Sequence, residues 1–127
     1  MTIKVQKPTA AELEILQILW ETNPETVRFV HEQINRNKNV GYTTTLKILQ
    51  NMAAKKLVTR KQKGRVHLYI PLLKKEETRE ILLNKFLDAA FGGSASSLVM
   101  QALGNNRATL EELKQIKAYI QKLEGNK

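Results

Sequence analysis

Apolar residues recur along this chain with a period of three to four, then of two, then of three to four again, and that succession predicts the order of its elements. Thr9-Ala10-Ala11-Glu12 has the form of a capping box, in which a hydroxyl and a carboxylate satisfy orphan amides at a helix start. Behind it Leu13, Ile15, Leu16, Ile18, Leu19 and Trp20 cover much of a helical circumference, as in a helix wedged among others and ending near Trp20. Asn23-Pro24 breaks the pattern, and Thr26 can cap a second helix through about Asn35 with Val27, Val30 and Ile34 turned inward. After a turn through Asn37 to Gly41, a third helix opens at Thr43. Leu46, Leu49 and Met52 or Ala53 form its packing stripe, which leaves Thr44, Thr45, Lys47, Ile48 and Asn51 on or near the opposite side.

From Leu57 the period shortens. Val58, Arg60, Val66, Leu68 and Ile70 alternate with polar residues around the tip Arg60-Lys61-Gln62-Lys63-Gly64-Arg65, which predicts a two-stranded hairpin. Three helices followed by such a hairpin describe a winged helix-turn-helix. After Pro71 the helical period returns. Ile81, Leu82, Phe86, Leu87 and Ala90 mark a helix from about Glu76 to Phe91, and Gly92-Gly93-Ser94 ends it. A short helix runs through Leu98, Val99, Ala102 and Leu103. A second capping box, Thr109-Leu110-Glu111-Glu112, starts a last one with Leu113, Ile116, Ile120 and Leu123 on a coiled-coil-like seam.

Each of these C-terminal helices has one apolar stripe, too little for a core of its own. Pairing with a second copy would bury the stripes, with Phe86 and Leu98 as an alternative interface. The expected fold is mainly α with a small β wing: a winged helix-turn-helix over residues 1–72 and a helical dimerisation region over residues 73–127.

Charge changes what this fold is expected to do. From Gln33 to Lys75 there is no acidic residue, while lysines and arginines recur throughout, so much of the formal net charge of +9 is concentrated in one segment. A contiguous field of one sign attracts a polyanion, and double-stranded DNA is the expected partner. A recognition helix enters the major groove N-terminal end first. Thr43, Thr44, Thr45, Lys47 and Asn51 are then the candidate base readers, since threonine can meet a thymine methyl, lysine reaches guanine acceptors and asparagine pairs with adenine. Lys61, Lys63 and Arg65 at the hairpin tip are the candidate phosphate holders. Two other roles suit the same features. One is a ligand-sensing winged-helix regulator with a pocket between its domains, and the other is a module that presents its basic face to an acidic protein.

Composition narrows the chemistry further. Hydrophobic residues make up 42% of the chain, yet no apolar run approaches the roughly 20 residues of a membrane span. Met1 to Lys7 lacks the apolar core of a signal peptide, so a cytoplasmic protein without membrane insertion is expected. There is no cysteine, which excludes disulfides, thiolate metal sites and cysteine nucleophiles. His31 and His67 are the only histidines, and His31-Glu32 is not continued by a second histidine at Asn35, so the zinc-protease pattern fails. Ser94, Ser96 and Ser97 lie near glycines without an elbow motif or a base and read as a flexible connection. No enzymatic activity, metal or cofactor is expected.

Thr9-Ala10-Ala11-Glu12-Leu13-Glu14-Ile15-Leu16, Leu19-Trp20, Thr26-Val27-Arg28, Val30-His31-Glu32 and Gly41-Tyr42-Thr43-Thr44-Thr45-Leu46-Lys47-Ile48-Leu49 together resemble the penicillinase repressor family, bacterial regulators of β-lactamase and methicillin-resistance genes. The likeness continues through Lys55-Lys56-Leu57, the wing and Gly92-Gly93 before Ser97-Leu98-Val99. It implies a dimeric winged-helix repressor that reads a palindromic operator with the helix opening at Thr43. In several members of that family a membrane-bound sensor protease triggers induction by cutting within the C-terminal part, at an Asn-Phe bond just after the double glycine in the best-known ones. The corresponding stretch here, Ser94-Ala95-Ser96-Ser97, contains no such bond. Copper-responsive relatives carry C-terminal cysteines, which this chain lacks.

Overall fold

The computed structural model describes residues 7–126; residues 1–6 of the stretch read above for a leader lie outside the described residues. The elements run α1 (Ala10–Glu21), α2 (Val27–Ile34), α3 (Tyr42–Ala54), β1 (Val58–Lys63), β2 (Val66–Pro71), α4 (Lys75–Phe91), α5 (Ala95–Gly104) and α6 (Leu110–Gly125). The chain divides into two compact units, one reaching to Leu82 and one starting at Leu83. None of the described helices is long and apolar enough to cross a membrane.

The first unit is a winged helix-turn-helix. Thr9 and Glu12 form the reciprocal box at the start of α1, with the Thr9 amide donating to Glu12 Oε1 at 2.9 Å and the Glu12 amide to Thr9 Oγ1 at 3.1 Å. Thr26 caps α2 by accepting from the Phe29 amide at 3.1 Å. The core is built from Ile15, Leu16 and Leu19 of α1, Val27, Val30 and Ile34 of α2, Leu49 and Met52 of α3, and Leu57, Val58 and Tyr69. Burial of each such large side chain contributes about 1.5–3 kcal/mol, so these stripes fix how the three helices pack.

Strands β1 and β2 pair antiparallel from Val58 opposite Pro71 to Lys63 opposite Val66. Gly64 and Arg65 alone make the turn, and Gly64 takes φ 64°, a left-handed value that the first position of such a hairpin turn demands and glycine adopts freely. The apolar phase of the wing differs from the alternation expected. Tyr69, not Leu68 or Ile70, is the fully buried residue of β2 and faces inward beside Val58. The segment before α2 decides this: Glu25 bridges to Tyr69, its amide donating to the Tyr69 carbonyl at 3.1 Å and its carbonyl accepting from the Tyr69 amide at 2.7 Å, which seats that residue over the helices. Beyond the wing, Trp20 Nε1 donates to the Leu73 carbonyl at 2.8 Å and fastens the outgoing chain to α1.

The second unit forms from the end of α4 with α5 and α6. Gly92 and Gly93, at φ 56° and 84°, end α4 in the left-handed region. Thr109 and Glu112 form the second reciprocal box, with the Thr109 amide donating to Glu112 at 2.9 Å; that bond, with the Thr109 hydroxyl, holds the Glu112 carboxyl below its ordinary value. Among the described residues from Leu83 onward none is buried, although the unit carries Phe86, Leu98, Leu103, Ile116 and Ile120.

Candidate nucleic-acid interface

Helix α3 begins one residue earlier than the hydroxyl pattern suggests. Gly41 is its N-cap, no side chain caps it, and Tyr42 is the first helical residue. Helical geometry then sorts the expected readers. Thr43, Thr44, Lys47 and Asn51 are exposed and fall on one face, joined by Gln50 and Ala54. Thr45 lies on the other side, fully buried with Leu49 and Met52. Its hydroxyl is 3.5 Å from the Gly41 carbonyl and 3.2 Å from His31 Nδ1. The expectation that Thr45 reads bases is therefore corrected: it is a packing residue. Its spacing of four before Leu49 and seven before Met52 is the sequence signal that places it there, and its hydroxyl masked it.

The wing divides the expected phosphate holders. Register puts Arg60 opposite Tyr69 and Gln62 opposite His67 on the strand face turned toward the helices, whereas Lys61, opposite Leu68, and Lys63, opposite Val66, lie on the other face. Arg65 is in the turn. Between α2, α3 and the wing lies a cleft of about 900 Å³ whose polar lining includes Arg28, Tyr42, Gln50, Arg60, Arg65 and His67, with Glu32 as its carboxylate. Arg28, Gln50 and Arg60 thus belong to this surface although the sequence pattern did not single them out as contact residues. Arg60 could have been found from the strand phase once Tyr69 was known to face inward.

Ion pairing sharpens the electrostatics. Among the described residues the salt bridges are Lys38 with Glu14 at 3.0 Å and Lys55 with Glu12 at 2.9 Å. Two cations of the acid-free stretch are thereby neutralised from α1. Arg28, Lys47, Arg60, Lys61, Lys63 and Arg65 have no ion-pair partner among the described residues and keep their full charge along α2, α3 and the wing. Among the described residues no cluster of three or more potential metal ligands occurs. The arrangement offers hydrogen-bond donors, methyl groups and cations, which suits binding.

In the second unit the seam residues are open. Leu113 (38%), Ile120 (46%), Leu123 (47%) and Phe86 (54%) are exposed, while Leu98 and Ile116 are half-buried. Leu103 of α5 and Leu113, Ile116 and Ile120 of α6 line a groove of about 480 Å³. Met100 and Leu110, more exposed still, escaped the sequence reading because each stands off the regular stripe. The expected cleavage region is not a loose connection: Ser94 caps α5 by accepting from the Ser97 amide at 3.2 Å, and Ala95, Ser96 and Ser97 are its exposed first turn.

Residues 8–122 match the family described as penicillinase repressor. The chain is 37% identical over 67 residues to the transcriptional regulator BlaI of Mycobacterium tuberculosis, a match covering 52% of this chain and 49%, about half, of that protein. Identity to the penicillinase repressor of Bacillus licheniformis is 21% over 124 residues, covering 98% of this chain and 97% of the relative. The methicillin resistance regulatory protein MecI of Staphylococcus aureus is 19% identical over 122 residues, covering 96% and 99%.

Proposed function

From the premise that this chain belongs to the penicillinase repressor family, we propose that it is a homodimeric transcriptional repressor that occupies a palindromic DNA operator. Thr43, Thr44, Lys47 and Asn51 read base edges, and Lys61, Lys63 and Arg65 hold backbone, with Arg28, Gln50 and Arg60 adding to the holding surface. The observation that carries this reading is the meeting of an exposed, base-compatible face of α3 with wing arginines and lysines that have no ion-pair partner among the described residues. Cations left unpaired toward solvent release counterions from DNA when they bind, which supplies affinity, while the α3 face supplies discrimination.

Dimerisation rests on the second unit, which buries none of its described residues and keeps a lined apolar groove. A second copy of the same surface covers both by two-fold symmetry. The names of the relatives direct the proposal toward genes of antibiotic resistance. Release by a sensor protease would act between Gly92 and Ser97, where the capped first turn of α5 must open before cleavage. The winged unit would occupy the cytoplasm with its DNA.

Selection of bound fragments from a random duplex pool tests the reading. An inverted repeat with half-sites about one helical turn, roughly 34 Å, or a multiple of it apart is expected. Recovery of sequences with no repeat and no shared motif would overturn it and favour a basic module for an acidic protein partner.

A further inference from the structure

Lys56 stands in a backbone conformation that lysine does not favour. It follows the C-cap of α3 at φ 63°, in the left-handed region where a Cβ crowds the following carbonyl oxygen and glycine does not. Such strain persists where the side chain or its surroundings have a use for it. Lys56 is exposed, and among the described residues its ammonium has no ion-pair partner. Its neighbour differs. The Lys55 ammonium is turned back to Glu12 at 2.9 Å, so of the two lysines that end α3 one is neutralised and the other keeps its charge.

Lys56 lines a groove of about 710 Å³ within the winged unit, between the C-terminal half of α3 and β1. Gln50, Ala53 and Ala54 form one wall and Thr59 and Arg60 the other, with no carboxylate in the lining. Gln50 and Ala54 also belong to the exposed α3 face that carries Thr43, Lys47 and Asn51, so the groove continues that face toward the end of the helix. The edge of β1 beside it is open. Glu25 takes both the amide and the carbonyl of Tyr69, so the antiparallel alternation turns the amide of Arg60, opposite Tyr69, away from β2 and outward. The short side chains of Ala53 and Ala54 leave room for a polymer backbone against the helix end.

A duplex laid on the α3 face would bring one sugar-phosphate strand across the C-terminal end of that helix. The unpaired carbonyls of the last turn give this end a partial negative charge, which repels a phosphate unless a cation stands there. Lys55 is engaged by Glu12, which leaves Lys56. We propose that Lys56 holds the sugar-phosphate backbone of the operator in the groove between α3 and β1, and that this contact is why a strained lysine stands where glycine would be more stable. The proposal rests on the reading of α3 as the recognition helix. It adds a backbone hold at the C-terminal end of α3 to the one at the wing tip.

Salt titrations of DNA affinity test it. Lys56→Gly should weaken binding to the inverted repeat recovered from the random pool and to random duplex alike, about tenfold for each winged unit bound. The slope of log affinity against log salt should become shallower by about 0.9 per unit. Lys56→Gln, which removes the charge and keeps the strained backbone, should do the same, whereas Lys56→Arg should retain wild-type affinity and slope. Lys114→Gln, on α6 of the second unit, costs the chain the same charge and should leave the slope unchanged. The melting temperature of Lys56→Gly should stay at or above that of wild type, so that its weaker binding is not a loss of fold. A slope unchanged in Lys56→Gly and Lys56→Gln, or made equally shallow in Lys114→Gln, would overturn the proposal and leave the repressor reading in place. Wild-type protein without affinity for any duplex would instead remove the repressor reading, and this contact with it.

Discussion

Both oxygens of the Glu12 carboxylate rest on the Lys55 ammonium, at 3.1 and 2.9 Å, so the first turn of α1 is tied to the end of α3. The same carboxylate closes the Thr9 capping box. Burial by itself would raise the Glu12 carboxyl, but the Thr9 amide and the Lys55 ammonium outweigh it and hold it below its ordinary value of 4.5. A group depressed in this way stabilises the fold above its unfolded value and loses that contribution as pH falls through the folded one. Glu12→Gln keeps the geometry of the box and removes the charge. It should lower stability by about 1–3 kcal/mol near neutrality, and the gap from wild type should close in acid below 4.5. A denaturation gap constant from about pH 7 to about pH 3 would take Glu12 out of this role.

Lys56 follows the C-cap of α3 at φ 63°, with the Leu57 amide donating back to the Met52 carbonyl at 2.9 Å. That is the left-handed closing residue of a Schellman turn, a place glycine fills without strain. Lys56→Gly should therefore raise stability by about 0.5–1 kcal/mol. Thermal melts showing no gain would mean that the lysine stem packs more usefully than its exposure suggests.

Substitutions along α3 should separate reading from holding. Thr44→Ala and Lys47→Ala should each reduce the ratio of operator to random-DNA affinity, by about 1–3 kcal/mol for a lost base contact. Arg60→Ala and Lys63→Ala should weaken both kinds of binding alike and flatten the dependence on salt by a slope of about 0.9 per lost phosphate contact. Thr45→Ala should lower the melting temperature instead, because its side chain is fully buried. Equal specificity ratios for wild type, Thr44→Ala and Lys47→Ala would place recognition elsewhere.

Ile120→Asp should convert a dimer to a monomer, since a carboxylate on the α6 groove must stay desolvated against its symmetry mate or separate the chains. Operator affinity should fall with it through lost bivalency. Sedimentation of an intact dimer carrying Asp at this position would move the interface to Phe86 and Leu98.

An engineered cut at Ser94 should imitate induction. It severs the winged unit from α5 and α6, and two tethered heads hold DNA roughly 100- to 10,000-fold better than separate ones. The fragment ending at Gly93 should remain folded, because the core of α1, α2, α3 and the wing lies wholly before it. If that fragment held the operator as tightly as the uncut protein, release would have to come from a ligand or partner.

The sequence by itself determined the elements and their order. Capping boxes at Thr9 and Thr109, the inward spacing of Val27, Val30 and Ile34, and the change of period at Leu57 are local signals, and local signals survive without knowledge of what lies across the fold. Tertiary structure decided which side of each element faces what. Thr45 carries a polar hydroxyl, so its pattern reads as surface, yet four residues before Leu49 it meets α2 and is buried. Tyr69 faces inward because Glu25, far away in sequence, pairs with it. That choice of phase places Arg60 in the cleft and Lys61 and Lys63 on the other face of the wing. Likewise the acid-free stretch announced a basic surface, but only the fold revealed that Glu12 and Glu14 reach back to neutralise Lys55 and Lys38 while the α2, α3 and wing cations have no ion-pair partner among the described residues. Partners separated by tens of residues are set by packing, and no periodicity records them.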